Sequence, residues 1–127
     1  MSLSLRRRRI GLDLDGKNLF RLLKAYFTAS YMFPNTRVDV LETGHGFHLK
    51  IWKPHSVDEN IEVRRCLGDD PDRLFIDELR RRIGLEHWID TLFSFKREKG
   101  KVTREEPYNI LSLPFWSRLP ARKGMRK

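Results

Sequence analysis

The sequence predicts an α+β fold: an open antiparallel or mixed sheet with two helices on one face, in the order β-α-β-β-α-β-β. Three observations point to it. Apolar residues alternate with period two in several short segments, they switch to helical spacing between those segments, and glycine or proline stands at most of the switches. Both helices can then shield the apolar face of the sheet while the other face stays open.

Each element follows in turn. Ile10, Leu12 and Leu14 alternate with Gly11, Asp13 and Asp15, which describes a strand with one apolar and one carboxylate-bearing face. Gly16 breaks it. Residues 18–31 place Leu19, Leu22, Leu23, Tyr26 and Phe27 on one broad helical stripe, closed by Pro34-Asn35. Val38 and Val40, the turn Thr43-Gly44-His45-Gly46, and Phe47, Leu49 and Ile51 read as a hairpin over about residues 37–53. Ser56 with Glu59 three positions later opens a second helix, which Gly68 stops after Leu67. Leu74 and Ile76 alternate with Phe75 and Asp77 as a further strand, and residues 88–97 alternate as another. The Pro-rich apolar stretch from Pro107 to residue 116 is expected to lie over the body.

The chain has 127 residues, 26 Lys+Arg against 17 Asp+Glu, and a formal net charge of +9. The excess is confined to the ends. Arg6, Arg7, Arg8 and Arg9 in residues 1–9, and Arg118, Arg122, Lys123, Arg126 and Lys127 in residues 117–127, stand without an acid among them. Residues 10–116 are therefore a balanced single domain between a basic arm and a basic tail, which are expected to meet a polyanion such as DNA or RNA. Solvated ends are the alternative. Arg80, Arg81 and Arg82 add a candidate phosphate-tracking ridge. No apolar run reaches the ~20 residues of a membrane span, and the Arg-rich start lacks the apolar segment of a signal peptide. Cys66 is the only cysteine, which excludes an internal disulfide framework and a cysteine-based zinc site. A cytoplasmic protein without membrane contact is expected.

The alternation makes a chemical demand. If Leu12, Leu14, Leu49, Ile51, Leu74 and Ile76 face the helices, then Asp13, Asp15, His48, Lys50, Trp52 and Asp77 share the open face. Asp13 and Asp15 project the same way, about 6.5–7 Å apart along a strand. Gathered carboxylates repel unless a cation lies between them, and Mg²⁺ or Mn²⁺ favours such oxygen donors completed by substrate phosphates. Ordinary solvent-facing aspartates are the alternative for any lone Asp-x-Asp. His45, His55 and His87 read as loop and surface residues, and Trp88, Phe93 and Phe95 as core or sheet cover.

The segment IGLDLD, a helix, and then VDVLETGHGFHLKIW resemble the first two motifs of the archaeo-eukaryotic primase superfamily. Asp13 and Asp15 match its Asp-x-Asp strand. Thr43, Gly44, Gly46 and His48 match its second motif, with Thr43 where serine is usual. LGDDPDRLFIDELRR resembles the third, with Asp77 as its carboxylate. The resemblance runs from about residue 8 to residue 97. It implies an RRM-like core in which Asp13, Asp15 and Asp77 hold two metal ions, Mg²⁺ or Mn²⁺, for nucleotidyl transfer in primer synthesis or extension. His48 would meet the phosphates of a nucleoside triphosphate, with Thr43 and the Gly44–Gly46 turn admitting them. Lys50 would add a charge, and Lys96 is a weaker candidate for the same role. A template strand and a helicase or accessory replication chain are the implied partners. Two other readings remain at this point: a non-catalytic DNA- or RNA-binding replication accessory of the same fold, and a phosphatase of the haloacid-dehalogenase type built on LDLDG.

Overall fold

The alternation at Ile10 is realised as strand β1 (Ile10–Asp15), in which Ile10, Leu12 and Leu14 are buried and Asp15 is exposed. The structure, a computed structural model, describes residues 7–93, 95–98 and 100–110. Asn18 caps helix α1 (Leu19–Met32) by accepting from the amides of Phe20 and Arg21. Strands β2 (Val38–Glu42) and β3 (Gly46–Ile51) form the expected hairpin. Ser56 then caps helix α2 (Val57–Leu67), and Gly68 closes it in the left-handed conformation at φ 84°.

Helices α1 and α2 cover the apolar face as expected. Leu22, Ala25 and Ala29 of α1, and Val63 and Leu67 of α2, join Leu12, Leu14, Phe47, Leu49 and Ile51 in one core. β1 pairs antiparallel with β3, with Leu12 opposite Leu49 and Asp13 opposite His48.

The second half departs from the expected order. Residues Pro71–Arg82 form a third helix, α3, where a strand over Leu74–Asp77 was expected. Three contiguous apolar residues (Leu74, Phe75, Ile76) fit either period, so the flanking chemistry decides. Asp70 caps the helix from its side chain, Pro71 stands in the first turn, Asp72 opposes the positive end of the dipole, and Arg80, Arg81 and Arg82 occupy the last turn. The expected strand over residues 88–97 is also broken. A 3₁₀ turn (Glu86–Trp88) is followed by Asp90 at φ 59°, a left-handed kink that Asp tolerates better than most residues. Extended pairing resumes at β4 (Phe95–Glu98) and β5 (Lys101–Arg104), a separate hairpin, before β6 (Glu106–Pro107) adds to β2. The main sheet is antiparallel throughout, in the order β1-β3-β2-β6. Past β6, Tyr108 packs edge-on against Phe47 and Ile110 enters the core, in keeping with a stretch that lies over the body; residues 111–116 fall outside those described.

β1 is the outer strand, and side chains rather than a neighbouring strand complete its free edge. The Gly11 amide donates to Asp90 Oδ2 at 2.7 Å, and the Asp13 amide donates to Asp69 Oδ1 at 2.8 Å. Both carboxylates are buried and need counter-charge. Arg64, itself fully buried, pairs through Nε with Asp69 and through Nη1 with Asp77, each at 2.7 Å. Arg73 pairs with Asp69 at 2.7 Å and with Asp90 at 3.0 Å. Burial opposes the charge on Arg64, but Asp90, Asp69 and Asp77 outweigh it and raise the guanidinium above its ordinary pKa. Asn60 joins this network to His55, donating to Asp90 Oδ2 and lying 3.0 Å from His55 Nε2. His55, expected at the surface, is therefore a buried residue at 1% exposure.

The N-terminal arm joins the same network. Arg7 exchanges backbone hydrogen bonds with His55, and its guanidinium donates to the carbonyls of Glu86 and Ile89. Arg9 donates to the carbonyl of Asp90 and lies 3.5 Å from its carboxylate. Arg7 and Arg9 thus belong to the body, which corrects their expected place in a free nucleic-acid-binding arm. Arg8 is exposed. Arg6, Arg122 and Lys123 lie outside the described residues.

Asp77→Ala would remove one of the two carboxylates that hold the buried Arg64 charge and leave the buried Asp90 amide without its acceptor. Urea denaturation of this variant is expected to show a loss of about 3–5 kcal/mol, whereas Asp58→Ala, which removes an exposed partner of Arg81, leaves stability nearly unchanged. Equal effects from the two would contradict the network.

Candidate functional site

The face of the sheet opposite the helices carries the expected polar set on β1 and β3. Because side chains alternate, Asp13 and Asp15 project together from β1, and His48 and Lys50 project beside them from β3. His48 Nε2 lies 3.6 Å from Asp13 Oδ1, beyond a direct hydrogen bond. The other ring nitrogen, Nδ1, is 2.7 Å from Glu105 Oε2, and Lys50 Nζ donates to Glu105 Oε1 at 2.6 Å. Glu105, in the link between β5 and β6, therefore orients His48 through one oxygen and neutralises Lys50 through the other. Lys50 consequently has its charge paired.

Asp13, Asp15, Thr43, Gly44 and His48 line one cavity of about 710 Å³, which Asp77 and Glu105 also reach. The hairpin turn is shaped by its own bonds. Thr43 Oγ1 accepts from the Gly46 amide at 3.0 Å, so that amide is not open to a phosphate. Gly46 is required sterically, since a Cβ there would lie 2.0 Å from the Leu14 carbonyl oxygen. The β4–β5 hairpin comes close at this point, since a Cβ added at Gly44 would lie 2.9 Å from Thr103 Cγ2.

The carboxylates of the cavity divide into two kinds. Burial comes first among the causes that raise the Asp13 carboxyl above its ordinary pKa, with neighbouring Asp15 and Asp69 adding to it and His48 and Arg73 opposing. Asp15 is exposed and carries no ion pair among the described residues. Asp77 is different. It projects from a helix, not from the expected strand. One of its oxygens accepts from Arg64 and from the Asp90 amide, and the other accepts from Arg80. A carboxylate shared by two guanidiniums has little charge left for a divalent cation, so Asp77 is assigned to the ion-pair network and not to a metal triad. No group of three or more metal-binding side chains occurs among the described residues. Asp13 and Asp15 still fit as a pair of hard oxygen donors on one strand face.

The cationic candidates sort in the same way. Arg80 lines the cavity but is bound to Asp77 and to the Trp88 carbonyl; Arg81 pairs with Asp58 and Glu78; Arg82 is exposed. The expected ridge is thus largely an ion-paired helix end. Lys96 pairs with Thr103 in the separate hairpin, and its side chain, like that of Phe95, lies outside the description. The lining residues not foreseen as functional include Glu105, and Arg104, which pairs with none of the described carboxylates. Trp52 is half-exposed and held by Asp39 and Arg37. Phe75 is exposed on α3 and not on the sheet, and Trp88 and Phe93, expected as core or cover, are 60% and 75% exposed.

No helix among the described residues is long and apolar enough to cross a membrane. No protein-family model matches the chain, and neither a curated protein nor a solved structure matches it.

Opposite pH signatures are expected for the two carboxylates. Asp13, raised in the fold, contributes stability below its ordinary value of 3.8 that is lost as pH rises through the raised pKa. Asp13→Asn should therefore gain melting temperature relative to wild type as pH climbs from about 3.8 toward neutrality. Burial resists ionisation of Glu105, but the hydrogen bonds from Lys50 and His48 prevail and lower its carboxyl from the ordinary 4.5, so its stabilisation is present above 4.5 and lost below it. Glu105→Gln should lose melting temperature at pH 7, and the loss should shrink below pH 4.5. Thermal melts from pH 3 to pH 8 check both signs.

Proposed function

We propose that this chain is a nucleotide-binding core of primase type that carries out metal-dependent nucleotidyl transfer, in primer synthesis or extension, on a DNA or RNA template. One observation carries the reading: Asp13 and Asp15 from one strand, and His48 from its antiparallel partner, line a single cavity large enough for a nucleotide. These are the residues that the sequence resemblance marks in its first two motifs. The third motif contributes differently from what the resemblance implies, since Asp77 supports the scaffold through Arg64 and Arg80.

Asp13 and Asp15 would hold Mg²⁺ or Mn²⁺, which supplies charge to neutralise a bound triphosphate. The remaining roles fall to the chain's own groups. His48, whose Nδ1 donates to Glu105, would meet phosphate oxygens through Nε2 as an imidazolium, with a proton on both ring nitrogens. Arg104 adds a cation not committed to a described carboxylate. Burial, with Asp15 and Asp69 nearby, holds the Asp13 carboxyl above its ordinary pKa, and a bound cation would offset that cost.

The reading as a binding module without catalysis is favoured by one specific observation, the commitment of Asp77 to guanidiniums, which leaves Asp13 and Asp15 as the only members of the implied triad open to a cation, where the resemblance implies three carboxylates. The phosphatase reading needs a parallel doubly wound sheet, whereas every strand pair among the described residues is antiparallel.

Incorporation of labelled nucleotide on a primed or unprimed single strand, in Mn²⁺, separates these. Wild type is expected to incorporate label. Asp13→Ala and Asp15→Ala are each expected to reduce it by about a hundredfold or more without loss of urea stability. Unchanged incorporation by either variant would overturn the assignment. Absence of incorporation in wild type, with nucleotide binding intact, would make the chain a binding module.

A further inference from the structure

The cavity has a second wall that the proposed transfer chemistry does not use. Ile76 from α3, Trp88 from the 3₁₀ turn and Phe93 from the segment beyond it line the cavity together with Asp13, Asp15 and His48. Trp88 and Phe93 are largely exposed, at 60% and 75%. Exposed aromatic surface is unfavourable unless something covers it.

The mounting of Trp88 is as informative as its exposure. Its carbonyl accepts from Arg80 Nη1 at 3.0 Å and from Thr91 Oγ1 at 2.9 Å, and its amide donates to the Leu85 carbonyl at 3.2 Å. The next residue, Ile89, is fully buried. The main chain is therefore pinned on both sides while the indole has no hydrogen-bond partner among the described residues. A rigid mount under an exposed ring is the form of a stacking platform.

We infer that Trp88 and Phe93 form the wall on which the aromatic base of a bound nucleoside triphosphate stacks. The inference rests on the nucleotide reading given above and extends it to the base. A purely anionic ligand would leave the aromatic wall wet, and a purely apolar one would leave Asp13, Asp15 and Arg104 without a partner. A ligand with a flat π-face at one end and metal-bound phosphates at the other satisfies both sides. The cavity, at about 710 Å³, has the dimensions of a small-molecule site and not those of a duplex groove.

Calorimetric titration of the full chain, in Mn²⁺, with ATP and separately with inorganic tripolyphosphate distinguishes the base from the phosphates. Wild type is expected to bind ATP more tightly than tripolyphosphate. Trp88→Ala and Phe93→Ala are each expected to weaken ATP binding by roughly tenfold, the order of one lost stacking contact, and to leave tripolyphosphate binding unchanged. Trp88→Phe, which keeps a ring, is expected to retain most of the ATP affinity. Wild-type ATP affinity in both alanine variants would overturn the stacking wall while leaving the nucleotide reading intact. Equal loss of both ligands would also overturn it, since the aromatics would then be scaffold. Failure of wild type to bind either ligand would remove the nucleotide reading and the stacking wall with it.

Discussion

The free edge of β1 is the constraint on which the rest of this fold depends. An outer strand leaves amides without partners, and here two of them, from Gly11 and Asp13, are satisfied by the carboxylates of Asp90 and Asp69. Those carboxylates are buried, so they require buried cations, and Arg64 and Arg73 supply them. Arg64 in turn demands Asp77, and Asp90 recruits Asn60 and the arm residue Arg9. A single edge-closing requirement thus ties α2, α3, the 3₁₀ turn and the N-terminal arm to one strand.

That arrangement also accounts for the site. Asp13 uses its amide to hold the edge and its side chain to face the cavity, so the scaffold and the site share a residue without sharing an atom. The elements gathered around the edge bring Ile76 and Trp88 to the cavity that β1 floors. On the other side, Glu105 reaches across from the β5–β6 link to hold His48 and Lys50. Among the described residues, charge is therefore paired nearly everywhere around the cavity except at Asp13, Asp15 and Arg104. Uncompensated charge beside exposed aromatic surface is what a site for an amphipathic, phosphate-bearing ligand requires.

Much of this was readable in the sequence where local chemistry and hydrophobic period agreed. β1, α1, the β2–β3 hairpin and α2 each carried both a pattern and a boundary signal, and the sharing of one sheet face by Asp13 and His48 followed from alternation; that the two stand opposite each other did not. The helix α3 was misread because Leu74-Phe75-Ile76 suits either period; the Asp70-Pro71 start and the arginine-rich end held the answer. Asp90 gave no warning of its left-handed kink. Nothing local separates the buried Asp69, Asp77 and Asp90 from the cavity-facing Asp13 and Asp15, because burial is decided by partners far along the chain. Glu105 was missed for the same reason, lying 57 and 55 residues from the two side chains it joins.

The central claim is that Asp13, Asp15 and His48 form one metal- and nucleotide-dependent site. Paramagnetic broadening by Mn²⁺ tests it most directly, read on assigned amide and His48 ring signals with ATP present. The account predicts broadening centred on residues 13–15 and the His48 ring, extending to the Thr43–Gly44 turn. The outer face of α1, around Phe20 and Tyr31, should remain sharp. Broadening centred elsewhere, such as on the exposed acids of α2, or broadening unchanged in Asp13→Ala, would contradict it.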